Sequence, residues 1–336
     1  MIREAIQKLA SRENLSRQES FETMNEIMSG NASEAQIASF LMGLRLKGET
    51  IPEIAGCAQS MRDKSVPIRS KHANIIDTCG TGGDSSGTFN ISTCAAIVAS
   101  GAGAKVAKHG NRAVSSQSGS ADVLRALGIN LEISPQRVTE ILDEVGITFL
   151  FAPQLHAAMK FAVPVRRDMG IRTIFNILGP LTNPAGARRQ LLGVFDPSLT
   201  EVLAGVLKEL GSEHALVVHG EGGLDELSTL GWTKVSQLRN GEITTYELRA
   251  ESLGIRRASA ESLRGGEAQV NAGIIIAILE GKDSPATDIA VLNAGAALTV
   301  SGVAGDLKEG IARAHDSISG GAAMKTLNQW KEASHS

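Results

Sequence analysis

The chain changes character near residue 74, and that change limits the folds open to it. Before this point no run has the β-branched or alternating pattern of a strand, and the first 66 or so residues read as helices only. Capping-box pairs punctuate them: Ser16 with Glu19, Asn31 with Glu34, and Thr50 with Glu53. In such a pair the first side chain satisfies an orphan amide of the new helix and the acid reaches back to the cap. "AQIASFLMGLRLKG" carries apolar residues at helical spacing and closes on Gly48.

After residue 74, short apolar runs alternate with helical segments. The strand-like runs are "NIIDTC", "AKVAKHG", "ITFLFAP", "RRQLLGVF", "HALVVHG" and "VSQLRNGEITTYEL". Between them lie "SADVLRALG", "SPQRVTEILDEVG" and "LTEVLAGVLKELG". Such alternation predicts an α/β fold with a mostly parallel central sheet flanked by helices. The closing third, with "AGIIIAILEG", "DIAVLNAGAALTVSG" and "LKEGIARAHDSI", reads as helical packing. At 336 residues the chain exceeds the length at which one core usually splits. The expected organisation is a small all-helical N-terminal domain over 1–70 and a large α/β domain over 74–336. The Pro-, Gly- and Asn-rich stretch 174–187, "IFNILGPLTNPAGA", is expected to be a crossing linker or hinge.

Composition excludes several function classes. Aromatics are 3% of residues, too few for the stacking platforms of a single-strand nucleic-acid surface, and the net charge of −3 gives no general attraction to DNA or anionic membranes. Any polyanion must be held by a local site. Cys57, Cys79 and Cys94 form no zinc-type spacing and suit reduced thiols. The N-terminal "MIREAIQKLASRENL" lacks the apolar core of a signal peptide, and no apolar run approaches the ~20 residues of a membrane span. A cytoplasmic protein is expected, with no nucleic-acid or membrane partner.

Two strand-to-helix loops carry the chemistry. The first, "GTGGDSSGT", runs into a helix starting near Asn90. The second, "KHGNRAVSSQSGS" over 108–120, runs into "ADVLRALG". In an open parallel sheet these loops lie at the carboxyl edge, where ligands bind. Bare glycine backbone and unpaired helix-start amides attract anions. Lys108, His109, Arg112 and the hydroxyls of Ser115, Ser116, Ser118 and Ser120 add to the second loop. Neither loop is a Walker A motif, since Gly87 is followed by Thr88 and Phe89, nor a dinucleotide fingerprint, since Ser85 stands where its third glycine belongs. The pattern points to an anion with several phosphate-like groups.

Two further features gain meaning beside such a cradle. Asp225 and Glu226, in "HALVVHGEGGLDELS", read in isolation as a solvated loop or helix start, but beside a polyphosphate cradle they gain a role as ligands of Mg²⁺, which takes a few carboxylates and keeps substrate oxygens and water; the Ser92 hydroxyl is a candidate third ligand. Arg166, Arg167 and Arg172, in "PVRRDMGIRTIFN", are either surface charges or a bidentate partner for a ligand carboxylate.

Taken together, "DTCGTGGD", "FNIST", "KHGNRAVSS", "SGSADVLRALG", "RTIFNILGPLTNPA" and "GLDE", in this order, resemble the anthranilate phosphoribosyltransferases, and the resemblance runs to about residue 330. It implies transfer of a 5-phosphoribosyl group from phosphoribosyl pyrophosphate (PRPP) to the amine of anthranilate, releasing pyrophosphate, in tryptophan biosynthesis. It implies PRPP contacts at Gly80, Gly83, Asp84, Thr88, Asn90, Ile91, Ser92 and Thr93. Further PRPP contacts would come from Lys108, His109, Gly110, Asn111, Arg112, Ala113, Val114, Ser115, Ser116 and Ser120. Gly80, Asn111 and Arg166 match anthranilate contacts, with His109 nearby, and Ser92, Asp225 and Glu226 match magnesium positions. The resemblance also implies a homodimer joined through the helical domains, with a later segment around 170–187 joining that domain. Gln117 stands where a lysine is common and Gly222 where an acid often precedes "GLDE". Lys108 is expected to act electrostatically, and His109 either takes a proton after attack or is structural. Other readings of this architecture are a pyrimidine nucleoside phosphorylase and a non-catalytic nucleic-acid-binding relative.

Overall fold

The computed structural model describes residues 1–84, 86–112 and 117–336. Four helices come first: α1 (Ile2–Ala10), α2 (Arg17–Met28), α3 (Glu34–Lys47) and α4 (Ile51–Asp63). Ser16 and Glu19 form the expected capping box at α2. The second box is not Asn31 with Glu34 but Ser33 with Gln36, slightly further along, because Ser33 is the residue with extended backbone before α3. At α4, Glu53 does more than cap. Fully buried, its carboxylate accepts hydrogen bonds from the amides of Leu15 and Thr50, the Thr50 hydroxyl and the Lys47 ammonium, at 2.8–2.9 Å. A buried charge is tolerable only when paired and saturated in this way.

The α/β part follows as β1 (Ile75–Asp77), α5 (Ile91–Gly101), β2 (Lys105–Gly110), α6 (Ser120–Ala126), α7 (Pro135–Val145) and β3 (Ile147–Phe151). Next come α8 (Ala152–Leu155), α9 (Val163–Met169), α10 (Phe175–Leu178), β4 (Arg189–Gly193), α11 (Leu199–Glu209) and β5 (His214–Gly220). A hairpin of β6 (Trp232–Arg239) and β7 (Glu242–Arg249) precedes α12 (Ala268–Leu279), α13 (Pro285–Ser301), α14 (Leu307–Ser319) and α15 (Ala322–Ser334). The seven strands form one sheet in the order β3-β2-β1-β4-β5-β6-β7. Strands β1 to β5 pair in parallel, and β6 and β7 are antiparallel additions.

Side chains alternate across the sheet, as the two-residue period of a strand requires. Leu191, Leu216 and Val218 face a core shared with α5 and α12 to α15. Leu192, Ala215 and Val217 face the opposite way, into a core shared with α1 to α4 and α11. The helical bundle therefore shares the core on one face of the sheet, meeting it through α11, which packs on β5 and β6 and against α4. Buried Ile174, Phe175, Ile177, Leu178 and Leu181 join this second core. The stretch 174–187 does cross between the two parts, but it is packed rather than an exposed linker. Its backbone carbonyls are met by side chains from outside it: buried Gln190 donates to Pro180 at 2.7 Å and half-buried Arg62 to Leu181 at 2.6 Å.

The strand order fixes where a ligand can bind. The chain leaves β1 toward β2 on one side, and β4 lies on the other. Loops diverge at such a switch point and leave a crevice at the carboxyl ends of the strands. The glycine loop after β1 opens there, between the end of β2, which carries Lys108 to Gly110, and the end of β4.

Candidate active site

At the end of β1 a buried carboxylate ties three segments together. Asp77 accepts from the His109 amide on β2 at 3.0 Å and from Asn183 Nδ2 at 2.7 Å. The same Asn183 amide donates to the Ala107 carbonyl at 2.9 Å. Burial pushes the Asp77 pKa up to about 6, against the opposing pull of these donors and of Lys108. Sequence reading missed Asp77 because it looks like an ordinary strand end.

Lys108 lies on β2, almost fully buried, with its ammonium donating to the Thr78 carbonyl at 2.6 Å and to Ser92 Oγ at 3.1 Å. Facing it is an acidic pair delivered by the turn after β5. Asp225 accepts from the Gly82 amide at 2.8 Å, and Glu226 accepts from the Ser92 amide at 3.0 Å. These bonds bring together residues far apart in sequence, so the start of α5 and the "GLDE" turn belong to one site. Asp84 on the glycine loop completes the group. Burial, then the charge of Asp84, drives Asp225 well above the usual carboxylate range. Burial, then Asp225, does the same to Glu226. Lys108 acts on Asp77, Asp225 and Glu226, and Asp84 adds a fourth carboxylate, so the crevice is short of positive charge. A divalent cation fits that deficit and that oxygen donor set. Among the described residues no three His, Cys, Asp or Glu side chains converge to hold an ion by themselves, so substrate oxygens and water would have to complete the shell.

Glycines make the convergence possible. A methyl group on Gly80 would run into the Asp225 carboxylate, and one on Gly193, the last residue of β4, would overlap the Asp225 backbone carbonyl. Backbone cannot yield as a flexible side chain does. Gly193→Ala is therefore expected to lower stability by about 3 kcal/mol or more, the range of severe steric substitutions, read as a fall in the thermal midpoint together with loss of activity. Gly83, at φ 73°, adopts a left-handed backbone that costs a non-glycine residue roughly 1–2 kcal/mol. Its carbonyl accepts from Arg172, whose guanidinium also lies 4.1 Å from the centre of the Phe195 ring. Arg172 thus pins the glycine loop to the segment that leads into the second core.

The three arginines separate by environment. Arg167 is exposed and pairs loosely with Asp168 at 3.5 Å, a solvated charge. Arg166, on α9, lies over Phe175 at 5.2 Å, and burial lowers its pKa. The same crossing segment holds His109, whose Nδ1 meets the Gly179 carbonyl at 3.1 Å. A carbonyl only accepts, so Nδ1 carries the proton and Nε2 is a bare acceptor. That Nε2 and the Nε2 of His156, whose ring is 5.0 Å away, are both buried without a partner among the described residues. Burial first, then His156, lowers the His109 pKa to about 3, so it is neutral near pH 7 and a weak base.

Thr88 sits in a one-residue β-bridge with Arg264, and Ile91 is 1% exposed, its amide donating to the Phe89 carbonyl at 2.8 Å. Thr93 Oγ1 is buried and has no partner among the described residues. Gly110 packs against Phe149, and an added Cβ would lie 2.7 Å from that ring. Asn111 is exposed, and its carbonyl accepts from the Ala121 amide at 3.3 Å, tying the second loop to the start of α6. Arg112 lies 5.6 Å from the Phe151 ring, and Ser120 opens α6. Ala113, Val114, Ser115 and Ser116 lie outside the described residues.

The fold and crevice define a two-part transferase. Residues 3–65 match the glycosyl transferase family helical bundle domain and residues 72–324 the glycosyl transferase family a/b domain. The chain is 52% identical to the anthranilate phosphoribosyltransferase of Acetivibrio thermocellus, over 100% of this chain and 97% of that one. It is 53% identical to that of Anaeromyxobacter dehalogenans, over 98% and 97%. Among solved structures, the anthranilate phosphoribosyltransferase of Thermus thermophilus is similar with a TM-score of 0.94 at 43% identity, covering 99% of both chains. That of Saccharomyces cerevisiae in complex with PRPP and Mg gives a TM-score of 0.91 at 29% identity, covering 99% of this chain and 98% of the other. The chain belongs to the anthranilate phosphoribosyltransferase family.

Proposed function

We propose that this protein transfers the 5-phosphoribosyl group of PRPP to the amine of anthranilate, giving N-(5-phosphoribosyl)anthranilate and pyrophosphate. The observation that carries the reading is the buried Lys108 ammonium facing Asp225 and Glu226 beside a glycine loop at the switch point of the sheet. Relatives over the whole chain support it, among them yeast enzymes solved with PRPP and Mg and with 4-fluoroanthranilate. A nucleoside phosphorylase or a nucleic-acid-binding relative finds no comparable support.

Breaking the bond from ribose C1 to pyrophosphate leaves positive charge on the sugar and negative charge on the leaving group. Preorganised charge that favours this separation is usually the largest catalytic contribution. Lys108 and the amides of the glycine loop stabilise the departing diphosphate. Asp225, Glu226 and the Ser92 hydroxyl would hold Mg²⁺, which when bound neutralises phosphate charge. Gly83, Asp84, Thr88 and the run 90–93 line one side of the sugar phosphate, and the second loop through Ser120 lines the other. Arg166 grips the anthranilate carboxylate, with Gly80 and Asn111 completing that pocket. An aromatic amine is already neutral at pH 7, so attack on C1 needs no prior deprotonation. The anilinium formed on attack is strongly acidic and gives its proton to water or to the departing pyrophosphate, so buried, weakly basic His109 is assigned a structural role.

We also read the protein as a cytoplasmic homodimer joined through its helical part. The described cysteines are all free thiols, no helix among the described residues is long and apolar enough to cross a membrane, and Met42 and Leu46 are exposed apolar residues on α3. The test of the activity is loss of anthranilate fluorescence when the purified protein is mixed with PRPP and Mg²⁺; no loss at any enzyme concentration would reject it. Arg166→Ala should raise the anthranilate KM about 10- to 100-fold, the weight of a lost charge-assisted pair, with the KM for PRPP little changed. An unaltered anthranilate KM would return Arg166 to a structural role.

A further inference from the structure

The closing third of the chain does more than pack. Residues 263–265 run antiparallel beside the end of the glycine loop. The Phe89 amide donates to the Leu263 carbonyl at 3.1 Å, the Gly265 amide donates to the Gly87 carbonyl at 2.9 Å, and Thr88 bridges Arg264. The approach is so close that a Cβ on Gly265 would lie 2.7 Å from both Phe89 N and Asn271 Oδ1. Asn271 lies on α12, is 2% exposed, and belongs to a segment otherwise made largely of apolar residues.

Its amide is the middle of a relay whose polarity is fixed at both ends. The Gly266 amide donates to Asn271 Oδ1 at 2.8 Å, and a backbone N–H is only a donor. Asn271 must therefore present Nδ2 to its other partner, Asn90 Oδ1, at 2.9 Å. Asn90 in turn must present Nδ2 to the Ser118 carbonyl at 3.3 Å, and a carbonyl only accepts. The relay admits one direction, and the network itself settles how both amides are turned. Asn90 is the residue before α5, where an asparagine side chain usually caps its own helix. Here it does not cap. Its side chain instead joins the first phosphate loop to the second.

We propose that Asn271, with the strap 263–266, is a positioning residue that holds Asn90 and thereby both phosphate loops in the arrangement that receives PRPP. The proposal rests on the reading of the crevice as a PRPP site. Asn271→Asp keeps the shape but removes the donor. The carboxylate so introduced still accepts from the Gly266 amide but turns an oxygen toward Asn90 Oδ1. It therefore favours a flipped Asn90, which would set its own oxygen against the Ser118 carbonyl. In either orientation of Asn90 one buried hydrogen bond is lost and two acceptors are set against each other, which should raise the KM for PRPP about tenfold or more, while the anthranilate KM stays within about twofold. An unchanged PRPP KM in the folded variant overturns the proposal, and so does an equal rise in both KM values, which a general loosening would give. If Asn271→Asp does not fold, Asn271→Ser, which buries no charge and cannot span the gap, is read the same way. Calorimetric titration with PRPP and Mg²⁺ is run on both proteins alongside. If the unaltered protein binds PRPP yet consumes no anthranilate, the activity reading fails, and the ratio of the two dissociation constants still decides the role of Asn271.

Discussion

Lys108→Met should lower kcat/KM about 100- to 1000-fold, the usual weight of one preorganised charge at a developing oxyanion. The methionine keeps much of the buried volume on β2 and deletes only the ammonium. Two neighbours then lose their donor, the Thr78 carbonyl and Ser92 Oγ. The larger loss is electrostatic. Lys108 pulls down the pKa of Asp77, Asp225 and Glu226, so its removal leaves an uncompensated acidic crevice that repels a diphosphate. The loss should appear in kcat and in the KM for PRPP together, because the charge acts on bound substrate as well as on the leaving group. Steady-state kinetics with each substrate varied is the check. A variant with circular dichroism like the parent and kcat/KM within about threefold of it would remove Lys108 from the catalytic machinery.

Asp225→Asn should separate stability from activity. Burial and the repulsion of Asp84 both disfavour the charged carboxylate in the folded protein. The isosteric amide still accepts from the Gly82 amide, and it leaves Glu226 opposite Lys108. In EDTA, relief of the repulsion should therefore raise the thermal midpoint by about 2 °C or more, the shift expected from ~1 kcal/mol in a chain of this size. Activity should fall about 100-fold, and half-saturation by Mg²⁺ should move to higher concentration. Asp225→Asn with Glu226→Gln should deepen both kinetic effects. This is the pattern of a site kept strained for function. A midpoint that drops in EDTA, with magnesium dependence unchanged, would place these carboxylates in the scaffold instead.

The main features of the fold are readable along the chain because they are periodic and local. Each strand run and each helix between them carries its own pattern, and the parallel arrangement follows from alternation alone. The two phosphate loops are equally visible, since glycines, Lys108 and Arg112 cluster within short windows. What escapes is non-local. Nothing near Thr88 signals that Arg264 pairs with it. Asn271 is a single polar residue in "VNAGIIIAIL", a segment whose pattern says only buried helix. Residues 174–187 look like a linker because Pro, Gly and Asn usually mean exposed turns. What keeps them inside is partly distant: Arg62 meets the Leu181 carbonyl and Asn183 reaches back to Asp77, while Gln190 meets the Pro180 carbonyl from nearby. Asn31 is the expected cap of α3, and Ser33 takes the role, a small shift of the kind that follows when several cap-forming residues crowd together.

The grip of residues 263–271 on Gly87, Phe89 and Asn90 bears on how the protein is made. A ribosome releases Asp84 and Lys108 long before it releases Asn271. The growing polypeptide can therefore carry its acidic and basic groups for some time while the clasp over the first loop is still unsynthesised. Nascent chains halted before residue 263 should refuse the nucleotide precursor, and competence should arrive only as the final quarter emerges.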